Sequence, residues 1–247
     1  MTKRFEDKVV VITGGSDGIG LASAQLFAQE GALVYITARR QALLDQAVER
    51  IGHGAIGVQG DVTNLTDLSR LYERVQRDHS KVDVVFANAG MHQPVPLEAI
   101  DEAHFDSTFG LNVKGLVFTV QKALPLMTEG SVIVLNGSIA GSKAYPGQSL
   151  YNASKAAVRS LARSWTNDLK ERGIRVNVVS PGATETPLIR SFFDNSPGAE
   201  EAVVAGVPLG RVARLEEVAR AVLFLSSNDS SFVAGHELFV DGGVAAV

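Results

Sequence analysis

Short β-branched runs alternate with helical patterns along this chain, and that alternation limits the possible folds more than any other property of the sequence. Val9–Thr13 is a continuous apolar run ending at Gly14-Gly15, the pattern of a strand buried on both faces. Gly20–Gln29 then repeats apolar residues at helical spacing and stops at Gly31, which reads as a helix C-cap. Leu33–Thr37 predicts the next strand, and Gln41–Ile51, closed by Gly52, the next helix. Ala55–Gln59, Val82–Ala87, Val132–Leu135 and Ile174–Val179 follow as strand candidates, each with a helix signal after it, and Leu238–Val240 closes a series of seven. Parallel strands need long crossovers, which helices supply, and right-handed crossovers lead to a doubly wound sheet. The expected fold class is α/β: one parallel sheet of about seven strands with helices on both faces. No repeat, low-complexity linker or composition break interrupts the series, so residues 1–247 read as a single domain.

Composition removes several functional classes. Lys and Arg number 23 against 27 Asp and Glu, a formal charge of −4, so no basic excess points to nucleic acid or an anionic membrane. Cysteine is absent, which removes disulfides, thiolate metal sites and cysteine nucleophiles together and fits a reducing compartment. The five histidines (His53, His79, His92, His104 and His236) have no metal-ligand spacing, so no metal is expected. The apolar stretch Val9–Ile12 is too short for a signal peptide or a membrane span, and a cytoplasmic protein is expected. At 45% hydrophobic and 20% charged residues, the chain has ample material for a core.

Two motifs carry chemistry. The first is Thr13-Gly14-Gly15-Ser16-Asp17-Gly18-Ile19-Gly20, between the first strand and its helix. Glycine lets backbone turn tightly and lie against a pyrophosphate, and free N–H groups at the helix start bind the anion. Such a turn also occurs for packing alone, but here a strand precedes it and a helix follows, as a dinucleotide site requires. Gly14, Ser16, Asp17, Gly18, Ile19 and Gly20 are the candidate contacts. Asp17 brings a carboxylate near the phosphates; alternatively it complements the helix dipole. The second motif is Tyr151-Asn-Ala-Ser-Lys155, two residues four apart on one helix face. An ammonium near a phenol favours the phenolate and lowers its pKa toward useful acid–base range. Ser138, in Asn136-Gly137-Ser138 after a strand, offers a hydroxyl to hold a substrate oxygen. The bland alternative is a surface Tyr–Lys pair and a loop serine.

Together these motifs resemble the short-chain dehydrogenase/reductase family, in the branch whose members run to about this length, and the likeness extends from Lys8 to Gly243. Gly14, Gly18 and Gly20 match the family's cofactor turn, and Asp61-Val62 is similar to the segment that contacts adenine. Asn88-Ala89-Gly90 matches its Asn-Ala-Gly motif, although Ala87 replaces a frequent second asparagine. Asn112, Ser138, Tyr151 and Lys155 match its catalytic tetrad. Pro181-Gly182 with Thr184 and Thr186 is similar to the loop that holds the nicotinamide carboxamide and pyrophosphate. The resemblance implies a Rossmann-type fold and hydride exchange between a nicotinamide cofactor and a carbonyl or alcohol. It implies that Tyr151 protonates the developing alkoxide while Ser138 hydrogen-bonds the same oxygen. Lys155 would lower the tyrosine pKa and hold ribose hydroxyls, and Asn112, at a helix interruption, would hold a water for proton resupply.

Cofactor choice is read from the second strand. An acidic residue about twenty positions beyond the turn would bond the ribose 2′-hydroxyl of NAD. Ala38 stands there, followed at once by Arg39 and Arg40, whose guanidinium groups suit the 2′-phosphate of NADP. NADP is the expected cofactor. Pro187–Pro208 breaks the alternation and is expected to form a substrate lid, lined by Leu188, Ile189, Phe192, Phe193, Val203 and Val204. An apolar ketone or aldehyde suits that lining, as in the bacterial NADP-dependent ketone reductases and alcohol dehydrogenases that the chain resembles. The rival substrate is a 3-oxoacyl chain on acyl-carrier protein, which would need a basic patch such as Arg159, Arg163 and Arg172, placed on the Tyr151 helix. A non-catalytic NADP-binding sensor would need no proton donor. Apolar residues on more than one face of the Tyr151 helix and of a predicted long helix from Phe105 to Met127 point to a homotetramer.

Overall fold

The computed structural model describes residues 3–247. Seven strands, β1 (Val9–Thr13), β2 (Leu33–Ala38), β3 (Ile56–Gln59), β4 (Val84–Ala87), β5 (Val132–Asn136), β6 (Arg175–Pro181) and β7 (Glu237–Val240), form one sheet in the order β3-β2-β1-β4-β5-β6-β7. Every neighbouring pair is parallel. The chain winds outward from β1 to β3, then returns to β4 on the other side of β1. A crevice therefore opens at the carboxyl ends of β1 and β4, the switch point where doubly wound sheets bind ligands.

The pleat explains the continuous apolar run of β1. Val10 and Ile12 join Leu21 and Phe27 of α1 (Gly18–Gln29), Leu44 of α2 (Gln41–Ile51) and Val222 of α9 (Leu215–Ser226) in the core on one face. Val9 and Val11 join Leu71 and Val75 of α3 (Leu65–His79), Val120 of α5 (Leu116–Ala123) and Val158 of α6 (Ser149–Asp168) on the other. All four β1 valine and isoleucine side chains are 0% exposed, so alternation with polar residues has no place here. Among the described residues no helix is long and apolar enough to cross a membrane.

Several boundaries differ from the sequence reading for identifiable reasons. Helix α1 starts at Gly18 because the Asp17 carboxylate accepts from Gly18 N at 2.6 Å, and its C-cap is Glu30 rather than Gly31. The long helix predicted from Phe105 to Met127 is four pieces. They are α4 (Glu102–Phe109), a π turn at Gly110–Gly115, α5, and a 3-10 turn at Leu124–Leu126 containing Pro125. Buried Asn112 is the cause of the π turn that the structure points to. Its amide donates to Met91 O and to Ser154 Oγ, both at 3.0 Å, and its Oδ1 accepts from Met91 N at 2.8 Å. The segment after β6 forms two short helices, α7 (Pro187–Asn195) and α8 (Ala199–Ala205).

Candidate active site

The glycine turn leaves β1 at the switch point. A Cβ at Gly20 would lie 2.2 Å from Gly14 O and 2.6 Å from Asn88 Nδ2, so only hydrogen fits there. Asn88, at the end of β4, closes the other side: its Nδ2 donates to Thr13 O and Gly14 O, both at 3.0 Å. Thr13 Oγ1 accepts from Asn88 N and Ala89 N at 3.1 Å. The loop after Pro181 reaches the same turn, with Thr186 Cγ2 3.5 Å from where a Gly18 Cβ would stand. In that loop Thr184 Oγ1 donates to Gly182 O at 3.0 Å, and Thr186 Oγ1 caps α7 by accepting from Ile189 N at 3.3 Å. Ser16 and Ile19 lie half-buried on the turn, and Asp17 is exposed.

Beyond β2, Arg39 and Arg40 are exposed and pair with no carboxylate among the described residues. Gln59 at the end of β3 donates to Arg39 O at 3.0 Å, which fixes the backbone there. Asp61 Oδ1 accepts from Thr63 N at 2.9 Å, and Val62 is buried against Gly115 of the π turn.

Across the crevice, the first turns of α6 present Tyr151 and Lys155. The Lys155 ammonium lies 5.7 Å from the Tyr151 ring centroid and donates to Asn136 O at 2.7 Å. Lys155 is 5% exposed, and burial brings its pKa down to about 8. Burial raises the Tyr151 phenol, and the neighbouring Ser138 hydroxyl pulls it back. Desolvation, which opposes both charged forms, sets the direction, against the lowering by Lys155 that the sequence suggested. Ser138 follows β5, and its Oγ accepts from Ala140 N at 3.1 Å. A Cβ on Gly90 would stand 3.3 Å from Asn112 Oδ1 and 3.6 Å from Lys155 Nζ, so Gly90, Asn112 and Lys155 meet at one point.

The structure thus brings Asn88–Gly90, Asn112, Ser138, Tyr151 and Lys155 together opposite the glycine turn, while Arg39, Arg40 and Asp61 stand at its far end. Sequence reading missed two neighbours. His92, which by its place after Asn88-Ala89-Gly90 could either line the substrate mouth or face solvent, is half-buried with its ring edge-on to Tyr151, centroids 4.6 Å apart at 70°. Its place after that loop is a signal for the mouth, but not for the contact with Tyr151. Asn136 donates to Asn88 Oδ1 at 2.9 Å, and only its place two residues before Ser138 hinted at a role. Arg172, expected on the Tyr151 helix, lies beyond its end and donates to Leu124 O and Met127 O.

The crevice suits a dinucleotide on three grounds. The turn admits no side chain at Gly20, it leads directly into the N-terminus of α1, where helices bind anions, and Asn136 Oδ1 is a buried acceptor without a partner. A parallel doubly wound sheet with this turn at its switch point and a tyrosine–lysine pair beside it defines a class, the dinucleotide-dependent oxidoreductases. The profile of a family described as enoyl-(acyl carrier protein) reductase matches residues 14–245. The chain is 44% identical to the oxidoreductase asL5 of Sarocladium schorii, with 99% of this chain and 98% of that protein covered. It is 37% identical to the 3-oxoacyl-[acyl-carrier-protein] reductase of Thermotoga maritima, covering 98% and 99%. It is 38% identical to the cis-4-hydroxycyclohexanecarboxylate dehydrogenase of Sinomonas cyclohexanicum, covering 100% of both. The chain belongs to the short-chain dehydrogenase/reductase family: it is an oxidoreductase, and its family uses NAD or NADP and acts on small molecules.

Proposed function

We propose that the protein is an NADP-dependent carbonyl reductase and alcohol dehydrogenase for apolar ketones or aldehydes, with Tyr151 as acid and base. The observation that carries this reading is the convergence of Tyr151, Lys155, Ser138 and Asn112 opposite the glycine turn. Bound NADPH would supply the hydride to the carbonyl carbon. The Tyr151 phenol, kept protonated by its burial, gives its proton to the oxygen that develops negative charge. Ser138 donates a hydrogen bond to the same oxygen, which stabilises charge where it appears. Lys155, charged at neutral pH and anchored on Asn136 O, favours the tyrosinate left behind. Asn112 and Lys155 both face Gly90, and we read that point as the place of the water that resupplies the proton. Arg39 and Arg40 would hold the 2′-phosphate by charge-assisted bonds.

The lid supports an apolar substrate: Leu188 and Phe192 of α7 are 58% and 51% exposed. The carrier-protein reading finds less support in the charges near the mouth. Arg159 is paired with Glu237 at 3.2 Å and Arg172 faces backbone carbonyls, which leaves Arg163 of the three. The name of the Sinomonas relative, an alcohol on a cyclohexane ring, favours free cyclic ketones; that of the Thermotoga relative favours the carrier-bound rival. A sensor would not need the complete tetrad. Assembly as a homotetramer accords with exposed Phe105 of α4, stacked on half-buried Phe109, and with Phe232 at full exposure. Light scattering should read four times 26.2 kDa, and a monomer mass would end that part. The functional test is NADPH turnover against cyclic and linear ketones beside a 3-oxoacyl-[acyl-carrier-protein]. Faster turnover of free ketones is expected; turnover of the carrier-bound substrate alone would favour the rival.

A further inference from the structure

We propose that Asn136 is a positioning residue for the dinucleotide: its side-chain amide orients Asn88 and, through Asn88, the glycine turn. This rests on the dinucleotide reading of the crevice. Asn88 spends both hydrogens of its amide nitrogen on Thr13 O and Gly14 O. The same nitrogen is one of the two atoms that a Cβ at Gly20 would strike, so the turn closes directly upon it. An amide rotated by half a turn would set its oxygen against two carbonyl oxygens. What holds the correct orientation is the donor on the far side, Asn136 Nδ2, 2.9 Å from Asn88 Oδ1.

The rest of Asn136 supports the same direction of action. Its Oδ1 is buried and has no partner, so within the protein the side chain acts through its donor end. A buried acceptor left unpaired is costly, and a site that retains one retains it for a reason outside ordinary packing. The main-chain oxygen of Asn136 meanwhile accepts from Lys155 Nζ at 2.7 Å. One residue at the end of β5 therefore touches both halves of the crevice, but its side chain reaches only the dinucleotide half. Its removal should fall on cofactor affinity more than on the chemical step.

The test is fluorescence titration of NADPH into the parent, Asn136→Ala, Asn88→Ala and the double variant. Asn136→Ala should raise the Kd for NADPH about fivefold, the size of one neutral hydrogen bond, with kcat at saturating NADPH falling less than the affinity. The double variant should bind no more weakly than Asn88→Ala alone, because the effect passes through Asn88. Asn136→Asp, of the same shape with no donor, should lose at least as much affinity, and it serves if the alanine variant melts early by circular dichroism. Unchanged affinity in both Asn136 variants, or losses that add in the double variant, overturns the proposal alone. A parent that binds neither NADPH nor NADH removes the functional reading as well, so the two failures are distinguishable.

Discussion

The crevice frame and the two helices proposed as a lid, α7 and α8, are built in opposite ways. In the frame, Asn112 is 1% exposed, Lys155 5%, and the strands beneath them are closed to water. Its polar groups are tied across the sheet: Asn88 to β1, Asn136 to Asn88, Lys155 to Asn136, Asn112 to Met91 and Ser154. The lid helices α7 and α8 bury no residue of their own. Their charged ties are at the surface, where Arg190 meets Glu185 and, at 3.5 Å, Glu200. Surface pairs of this kind contribute little, whereas a buried polar group must be placed or it costs stability. On the proposed reading, the frame carries the requirements of the reaction, and the lid is free to carry those of the substrate.

The sharpest way to break that division is to remove the reacting group from the frame. Tyr151→Phe should lower kcat by about a thousandfold or more, through loss of both the proton donor and a contact to developing charge. NADPH titration should remain close to the parent. A variant retaining more than about a tenth of the activity removes Tyr151 as the acid.

The frame should also trade stability for function at Lys155. Its ammonium holds a proton less tightly when folded, with a pKa of about 8 against an ordinary 10.5. Between those values the unfolded chain binds more protons, so the dinucleotide-free parent should gain stability as pH rises from about 8 to 10.5, while below 8 the cost is present in full. Lys155→Met should therefore be inactive yet more stable at pH 7 by roughly 1–3 kcal/mol, the lower end allowing for the unpaired Asn136 carbonyl. Urea melts at pH 7 and pH 10 check this, and a less stable variant at pH 7 contradicts it.

At the outer end of the frame, replacing both Arg39 and Arg40 with alanine should weaken NADPH about tenfold or more and NADH far less. A parent that already prefers NADH in steady-state kinetics would refute the choice of NADP and turn attention to Asp17. The smallest effect belongs to the lid. Phe192→Ala should change kcat/KM for bulky cyclic ketones by about three- to tenfold relative to small ones, the range of one apolar contact, and leave the Kd for NADPH alone. Equal loss for all ketones, or weaker dinucleotide binding, would mean that the lid serves the frame instead.

What could be read in advance follows the same division. The strand runs were legible because burial on both faces of the central strands leaves continuous apolar runs such as Val9–Ile12 and Val132–Leu135. The Tyr151–Lys155 pair was legible because helical spacing alone places it. The π turn has no local signal: the resemblance implied a helix interruption at Asn112, but its cause is Asn112 reaching residues 21 and 42 positions away. Asn136 meets Asn88 across 48 positions, and His92 reaches Tyr151 from another loop. Contacts of that range are set by the sheet order and leave no local pattern. The end of the Tyr151 helix was not legible either: it stops at Asp168, and Arg172 falls in the short turn before Gly173.

The central claim is that the frame carries hydride between NADPH and a free carbonyl, and isotope transfer tests it most directly. Reduction of cyclohexanone by the parent with NADPH deuterated at the transferring position should yield cyclohexanol carrying one deuterium at the carbinol carbon, detected by mass spectrometry, with Tyr151→Phe giving almost none. Alcohol formed without the label, or NADPH consumed with no alcohol formed, would contradict the account.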